Sequence, residues 1–233
     1  DEMNEKSASI ILTIKDSEGN HIRNVKKNAS NGSSRIAWNL RHQSYYPIRA
    51  GRAQANSWFN PSGPYVTPGE YHAEIYLENN GSVEKLDGPI AFNVKPLRKG
   101  TLEGASYNEY NSFRTRVSNL YVAMSKYQDE FNMMKSKIEL LDKAALQLET
   151  FSPEIMKKIS DFKAKYNAFD SETGSNPARD EIGEWDKPTI SMRVQIAMQG
   201  LSTSYGPTDL NKSNLDIAER LFEKLASDVN QFK

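Results

Sequence analysis

Residues 113–148, FRTRVSNLYVAMSKYQDEFNMMKSKIELLDKAALQL, carry the most regular pattern in the chain. Their apolar positions are spaced alternately by four and by three residues through five heptads, with no proline among them. These positions are Phe113, Val117, Leu120, Met124, Tyr127, Phe131, Met134, Ile138, Leu141, Ala145 and Leu148. The spacing brings them onto one stripe and predicts one helix, or two nearly collinear ones, roughly 60 Å long. The stripe is either an internal core or a coiled-coil surface for a partner.

Further amphipathic stretches follow this one. Ser152 and Pro153 are typical of a helix start, with serine as the N-cap and proline at the first helical position. Apolar residues then recur at helical spacing in 155–169, 190–201 and 215–232. Helices with facing apolar stripes bury them against one another. We therefore expect an antiparallel long-helix bundle over residues 105–233.

The first hundred residues have a period of two instead. Short β-branched or alternating runs lie at 9–14, 22–25, 35–40, 71–77, 82–86 and 90–94, with turn residues between them. Six or seven short strands at this spacing predict an immunoglobulin-like β-sandwich over 7–96, with Trp38 in the core between its sheets. The predicted fold class is thus all-β plus all-α, in two domains joined by a linker at 97–104.

Composition narrows the function classes. The 233 residues include 30 basic and 30 acidic side chains, so no excess of positive charge favours nucleic acid. The absence of cysteine excludes disulfides and thiolate metal sites. No apolar run approaches the ~20 residues that a membrane-spanning helix needs. The polar N-terminus has no signal-peptide core, and we expect the chain to be a mature or excised fragment.

Catalytic motifs are missing from the sequence. The histidines, His21, His42 and His72, have no metal-binding spacing, and no Walker loop, G-x-S-x-G or G-x-G-x-x-G is present. The acidic segment 180–186 could in principle supply the paired carboxylates of a glycoside hydrolase. A solvated loop whose Trp185 caps the bundle explains it better. We predict no cofactor, no metal and no enzymatic activity, with part of a glycoside hydrolase as an alternative.

One irregular segment is rich in aromatic residues. Tyr45, Tyr46, Trp58, Phe59 and Tyr65 lie within 21 residues, and Arg41, Arg49 and Arg52 are nearby. Exposed rings of this kind stack on sugars, or anchor a protein partner together with arginines. The alternative is that they close the end of the sandwich or pack on the bundle. The segment is the candidate ligand or partner surface.

Several motifs together resemble a known family. They are IKDSEGNHIR at 14–23, GSSRIAWNLR at 32–41, GPYVTPGEY at 63–71, and a helical tail with GPTDL at 206–210. The series resembles the C-terminal region of large bacterial proteins with sortilin-like, BNR-repeat β-propellers, often labelled glycosyl hydrolases. The sandwich also resembles the immunoglobulin-like domain of flagellar hook-capping proteins. The family more often has aspartate where this chain has Asn39.

The resemblance implies a role rather than a reaction. It implies a non-catalytic accessory or structural module at the C-terminus of a larger exported protein. Its partner would be the propeller of the same parent chain or another protein, and its location extracytoplasmic: periplasmic, outer-surface or secreted. In that family any enzymatic activity would lie in the propeller, so no catalytic residue is carried over. A carbohydrate-binding module that uses the aromatic segment is the alternative.

Overall fold

The structure is a computed structural model that describes residues 7–45, 63–98, 100–174, 179 and 181–232. The chain forms two compact units, Asp1–Asn111 and Ser112–Lys233. In the described residues, the first unit contains a four-stranded antiparallel sheet, and four helices follow it along the chain. A β part followed by an α part is confirmed. The predicted domain limits, 7–96 and 105–233, stay predictions.

The strands are β1 (Ser9–Asp16), β2 (His21–Asn28), β3 (Gly69–Asn79) and β4 (Ser82–Val94), in the order β2-β1-β3-β4. Every neighbouring pair is antiparallel. Asp16 closes the β1–β2 hairpin because its carboxylate accepts from the backbone N–H groups of Glu18 at 3.0 Å and Asn20 at 2.8 Å. Gly19 in the same turn has φ 85°.

Two predicted strand features differ in the structure. Residues 35–40 form no strand, since Leu40 has φ 58° and the indole N–H of Trp38 donates to the Arg41 carbonyl at 2.9 Å. The positive φ of Leu40 ends the extended backbone, and the hydrogen bond of Trp38 folds its side chain back towards Arg41. The runs at 82–86 and 90–94 are one strand, because β4 continues through Gly88 with shifts in its register against β3. The described residues thus hold four strands rather than six or seven.

One face of the sheet carries the core of this unit. Ile14, Ile22, Val66 and Tyr71 are buried together, and Leu12, Trp38, Ala73, Phe92 and Val94 pack against them. Trp38 and Val66 come from two non-strand segments joined by an isolated bridge between Arg41 and Tyr65. These segments cover the apolar face, as the alternation of the strands requires.

The helices are α1 (Tyr107–Ala145), α2 (Pro153–Thr173), α3 (Ile190–Gln199) and α4 (Asp209–Phe232). The predicted start at Ser152 and Pro153 is confirmed, because Ser152 Oγ accepts from the Ile155 N–H at 3.4 Å. Thr189 caps α3 in the same way, accepting from the Met192 N–H at 3.3 Å. Both helices thus begin directly after a serine or threonine that caps the first turn.

Contacts within the second unit give the direction of each helix. Arg116 of α1 donates to Asp216 of α4, and Tyr127, further along α1, meets Phe222, further along α4, edge to face. Positions rise together, so α1 and α4 are parallel rather than antiparallel as predicted. Helix α2 returns against α1 after a short connection, and α3 and α4 form an antiparallel pair.

The heptad stripe of α1 is buried only in part. Phe113, Val117, Leu120 and Phe131 are buried, and Phe131 makes edge-to-face contacts with Tyr127 and Tyr166. Met134 and Ile138 are half-buried, and near the end of the stripe Leu141 and Leu148 are exposed while Ala145 between them is buried. An internal core therefore accounts for the first part of the stripe. The end of the α1–α2 hairpin is left with apolar side chains in contact with solvent.

Candidate interaction surface

The predicted aromatic site is only partly within the described residues. Tyr46, Trp58 and Phe59, together with Arg49 and Arg52, lie outside them. Tyr45 is half-buried and Tyr65 is about half exposed. The Arg41 guanidinium lies 3.7 Å from the centre of the Tyr65 ring and also donates to the Gly63 carbonyl at 3.1 Å. One face of this exposed tyrosine is therefore occupied by a cation.

Two carboxylates of the acidic loop before α3 pair with the same arginine. Arg179 lies 3.8 Å from a Glu184 oxygen and 3.1 Å from an Asp186 oxygen. Trp185 between them is 80% exposed, so the prediction that it caps the bundle is wrong.

The histidines are scattered in the structure as in the sequence. His21 Nε2 lies 3.0 Å from Asn24 Oδ1, and His72 Nε2 lies 3.5 Å from Glu70 Oε1. His42 is half-buried and its backbone N–H donates to the Pro64 carbonyl. In the described part of the chain, no group of three or more histidine or carboxylate side chains is placed to hold a metal ion.

A polar cluster occupies the face of the sheet opposite the core. Glu74 of β3 is buried, although strand alternation places it on the outer face. One carboxylate oxygen lies 2.7 Å from Lys15 Nζ and accepts from the Tyr76 hydroxyl at 3.1 Å. The other accepts from Lys85 Nζ at 2.8 Å. Hydrogen bonds from Lys15 and then Lys85 lower the pKa of Glu74 from 4.5 to about 2.

Gly88 of β4 lies against the β3 backbone at Ala73 and Glu74. Its φ is 104°, and a Cβ there would lie 2.5 Å from the Ala73 carbonyl oxygen and 2.9 Å from the Glu74 Cα. Only glycine lets the strand come this close. The cluster is therefore satisfied and enclosed by neighbouring strands, which suits a fixed ion-pair network better than a site that exchanges protons with a substrate.

Glu74→Gln is expected to remove an acid-sensitive part of the sheet's stability. The pKa of Glu74 is lowered on folding, so the unfolded chain binds this proton more tightly. The stabilisation is complete above its usual pKa of 4.5 and is lost as the pH falls through about 2. Thermal midpoints measured against pH should fall more steeply for the wild type than for Glu74→Gln within that window.

The exposed Glu84 of β4 offers a matched control. Glu84→Gln should keep the wild-type pH profile. Parallel profiles for the wild type and Glu74→Gln would show that the three-donor cluster does not stabilise the folded state.

A second charged cluster joins two helices. The Arg116 guanidinium of α1 donates to both carboxylate oxygens of Glu219, at 3.2 and 2.5 Å, and to Asp216 at 2.6 Å. The hydrogen bonds with Glu219 and then Asp216 hold the pKa of this arginine above its usual range. The bidentate geometry fixes the register of α1 against α4. One guanidinium holds both carboxylates in place, so this cluster also suits a structural role.

The end of the α1–α2 hairpin exposes several apolar side chains that lie close together along the chain. Six side chains contribute to it: Leu140, Leu141, Leu146, Leu148, Phe151 and Ile155. Each is between 41% and 67% exposed. We call these six residues the hairpin-end surface. Sequence reasoning placed Leu141 and Leu148 in the stripe and missed the other α1 and connection residues because they lie off it.

One signal could have revealed this surface. Leu148 continues the heptad spacing, but α1 ends at Ala145. A connection that keeps Leu146, Leu148 and Phe151 between two helices has more apolar residues than a solvated turn needs. The ion pair between Asp142 and Lys163, 2.8 Å apart, holds the two helices together beside it.

No family model, curated protein or solved structure matches this chain. Among the helices of the described residues, none combines the length and the apolar character that crossing a bilayer would take.

Proposed function

We propose that this chain is a non-catalytic interaction module, an accessory part of a larger exported protein with a β-propeller. The observation that carries the proposal is the hairpin-end surface. Monomeric proteins rarely leave contiguous apolar patches larger than a few hundred Å² in contact with water, and such patches mark interaction sites. Here apolar side chains from α1, the connection and α2 stay exposed beside a well-packed core.

The charged side chains support the same proposal. In the clusters around Glu74 and around Arg116, both oxygens of Glu74 and both oxygens of Glu219 are engaged by neighbouring donors. Groups held in this way fix the fold and are poorly suited to move protons. The link to an exported propeller protein rests on the motifs at 14–23, 32–41 and 63–71.

The finer architecture belongs to this proposal. We infer an immunoglobulin-like sandwich in which the four-stranded sheet is one layer. The second layer would be built on the two segments around Arg41 and Tyr65, which are hydrogen-bonded to each other. The His42 N–H donates to the Pro64 carbonyl at 3.0 Å, and the Val66 N–H donates to the Leu40 carbonyl at 2.9 Å. The helices form the long-helix bundle, with α1 parallel to α4.

The test begins with the gene. Propeller repeats and an export signal encoded upstream of residue 1 are expected, and the separately produced propeller should bind this chain. Leu146→Glu together with Phe151→Glu should weaken that binding, while Val122→Glu, at an exposed position of α1, should not. A reading frame without a propeller, or binding that ignores the hairpin-end surface, would count against the accessory role.

Carbohydrate binding is the second candidate, and the exposed Tyr65 favours it. The Arg41–Tyr65 pair offers a ring edge and a guanidinium to a sugar. A glycan array should then give signals with the wild type that fall at least about tenfold with Tyr65→Ala, equivalent to the loss of about 1.4 kcal/mol. Tyr107→Ala, also about half exposed, is the control. Binding no higher than background removes this candidate.

A further inference from the structure

We propose that the hairpin-end surface is a two-fold interface between two copies of this chain. The inference rests on the proposed function, since it names a partner for the same surface. It starts from the local geometry. Phe131 and Tyr166 pack inside the hairpin. Beyond them Ala145 and Ile159 are still buried, whereas the six side chains of the hairpin-end surface are exposed to solvent. Two helices alone cannot bury a wide stripe, and a second hairpin would complete a four-helix contact.

The size of the surface matches what a dimer needs. Six side chains exposed to this degree present on the order of 600 Å² of apolar surface. A standard interface buries about 800 Å² on each partner, of which a little over half is apolar. The hairpin-end surface alone therefore supplies the apolar part of such an interface. A smaller patch would support only a transient contact.

The surrounding charges suit a second copy better than a strongly charged partner. Lys143, Lys157 and Lys158 lie in the same stretch as Glu149 and Glu154. In a two-fold contact the same patch is used on both chains, so it has to contain both signs to complement itself. The chain has a formal net charge of +0, so no overall repulsion opposes the association.

Sedimentation equilibrium of the 233-residue chain is the first test. The wild type is expected to rise with concentration from the 26.4 kDa of one chain to twice that mass. Leu146→Glu with Phe151→Glu should raise the dissociation constant at least about 100-fold, because each buried carboxylate would lack a partner. Val122→Glu should leave it unchanged. Circular dichroism of dilute samples checks that each variant is folded.

The absence of cysteine permits a second test. Leu148→Cys places a thiol in the surface, and Val122→Cys places one on an exposed part of α1 outside it. Mild oxidation should convert the first variant to a covalent dimer well before the second. Equal cross-linking of the two variants would contradict a contact at the hairpin end.

The outcomes separate this inference from the proposed function. A chain that stays at 26.4 kDa at every concentration overturns the dimer. If the propeller still binds the hairpin-end surface, the accessory role stands with a different occupant. Association that persists in the Glu variants overturns the placement of the interface, whatever the parent protein contains.

Discussion

Trp38→Ala should destabilise the sheet unit by about 3 kcal/mol, within the range measured for aromatic truncations in cores. Trp38 makes edge-to-face contacts with Tyr71 and Phe92, with ring centres 5.7 and 6.1 Å apart. Its indole N–H also donates to the Arg41 carbonyl, which holds the segment over the sheet. Alanine loses all three interactions and leaves a cavity over Tyr71.

Hydrogen exchange of the β1 and β3 amides measures this loss. A destabilisation of about 3 kcal/mol corresponds to exchange roughly 100-fold faster, at 1.4 kcal/mol for each factor of ten. Trp185→Ala is the matched control because this tryptophan is largely exposed. Its effect should stay within about 0.5 kcal/mol. Equal effects of the two substitutions would contradict the packing of Trp38 against the buried core.

Phe131→Ala should destabilise the helical unit by about 4 kcal/mol. Phe131 is the largest of the fully buried side chains among the described residues, at 1% exposure. Its ring lies 6.5 Å from Tyr127 on α1 and 6.2 Å from Tyr166 on α2. Alanine would open a cavity between the two helices that rigid backbones cannot close.

Guanidinium unfolding followed by far-ultraviolet circular dichroism measures the effect on the helices. Met133→Ala is the control, since Met133 lies on the same helix and is more than half exposed. It should change the free energy of unfolding by less than about 0.5 kcal/mol. A loss below about 1 kcal/mol for Phe131→Ala would mean that the α1–α2 contact is looser than the structure indicates.

The spacing of apolar residues predicted β3 and α1 because each type of element buries its side chains with its own period. Tyr71 and Ala73 alternate with His72 and Glu74, so a period of two identified β3 and its core face. A period of 3.5 identified α1 because a stripe can be buried only at helical spacing. The pattern failed at residues 35–40, which alternate but form no strand, and Leu40 at their end has a positive φ.

Long-range features were beyond the sequence. A helix needs the same apolar stripe whether its neighbour runs parallel or antiparallel to it. The direction of α4 against α1 therefore depends on contacts such as that between Arg116 and Glu219, which lie 103 positions apart. The burial of Glu74 likewise depends on Lys15 and Lys85 from the two flanking strands. The hairpin-end surface was hidden because exposed and buried leucines look the same in a sequence.

The central claim is that the hairpin-end surface is where this chain meets its partner. Hydrogen exchange of the connection at 146–152 tests it directly, because these residues lie outside the helices. Exchange there should slow when a partner is present, whether a second copy at high concentration or the propeller part of the parent protein. The loop around Trp185 should be unaffected. Unchanged exchange at 146–152, with protection gained elsewhere on the chain, would contradict the account.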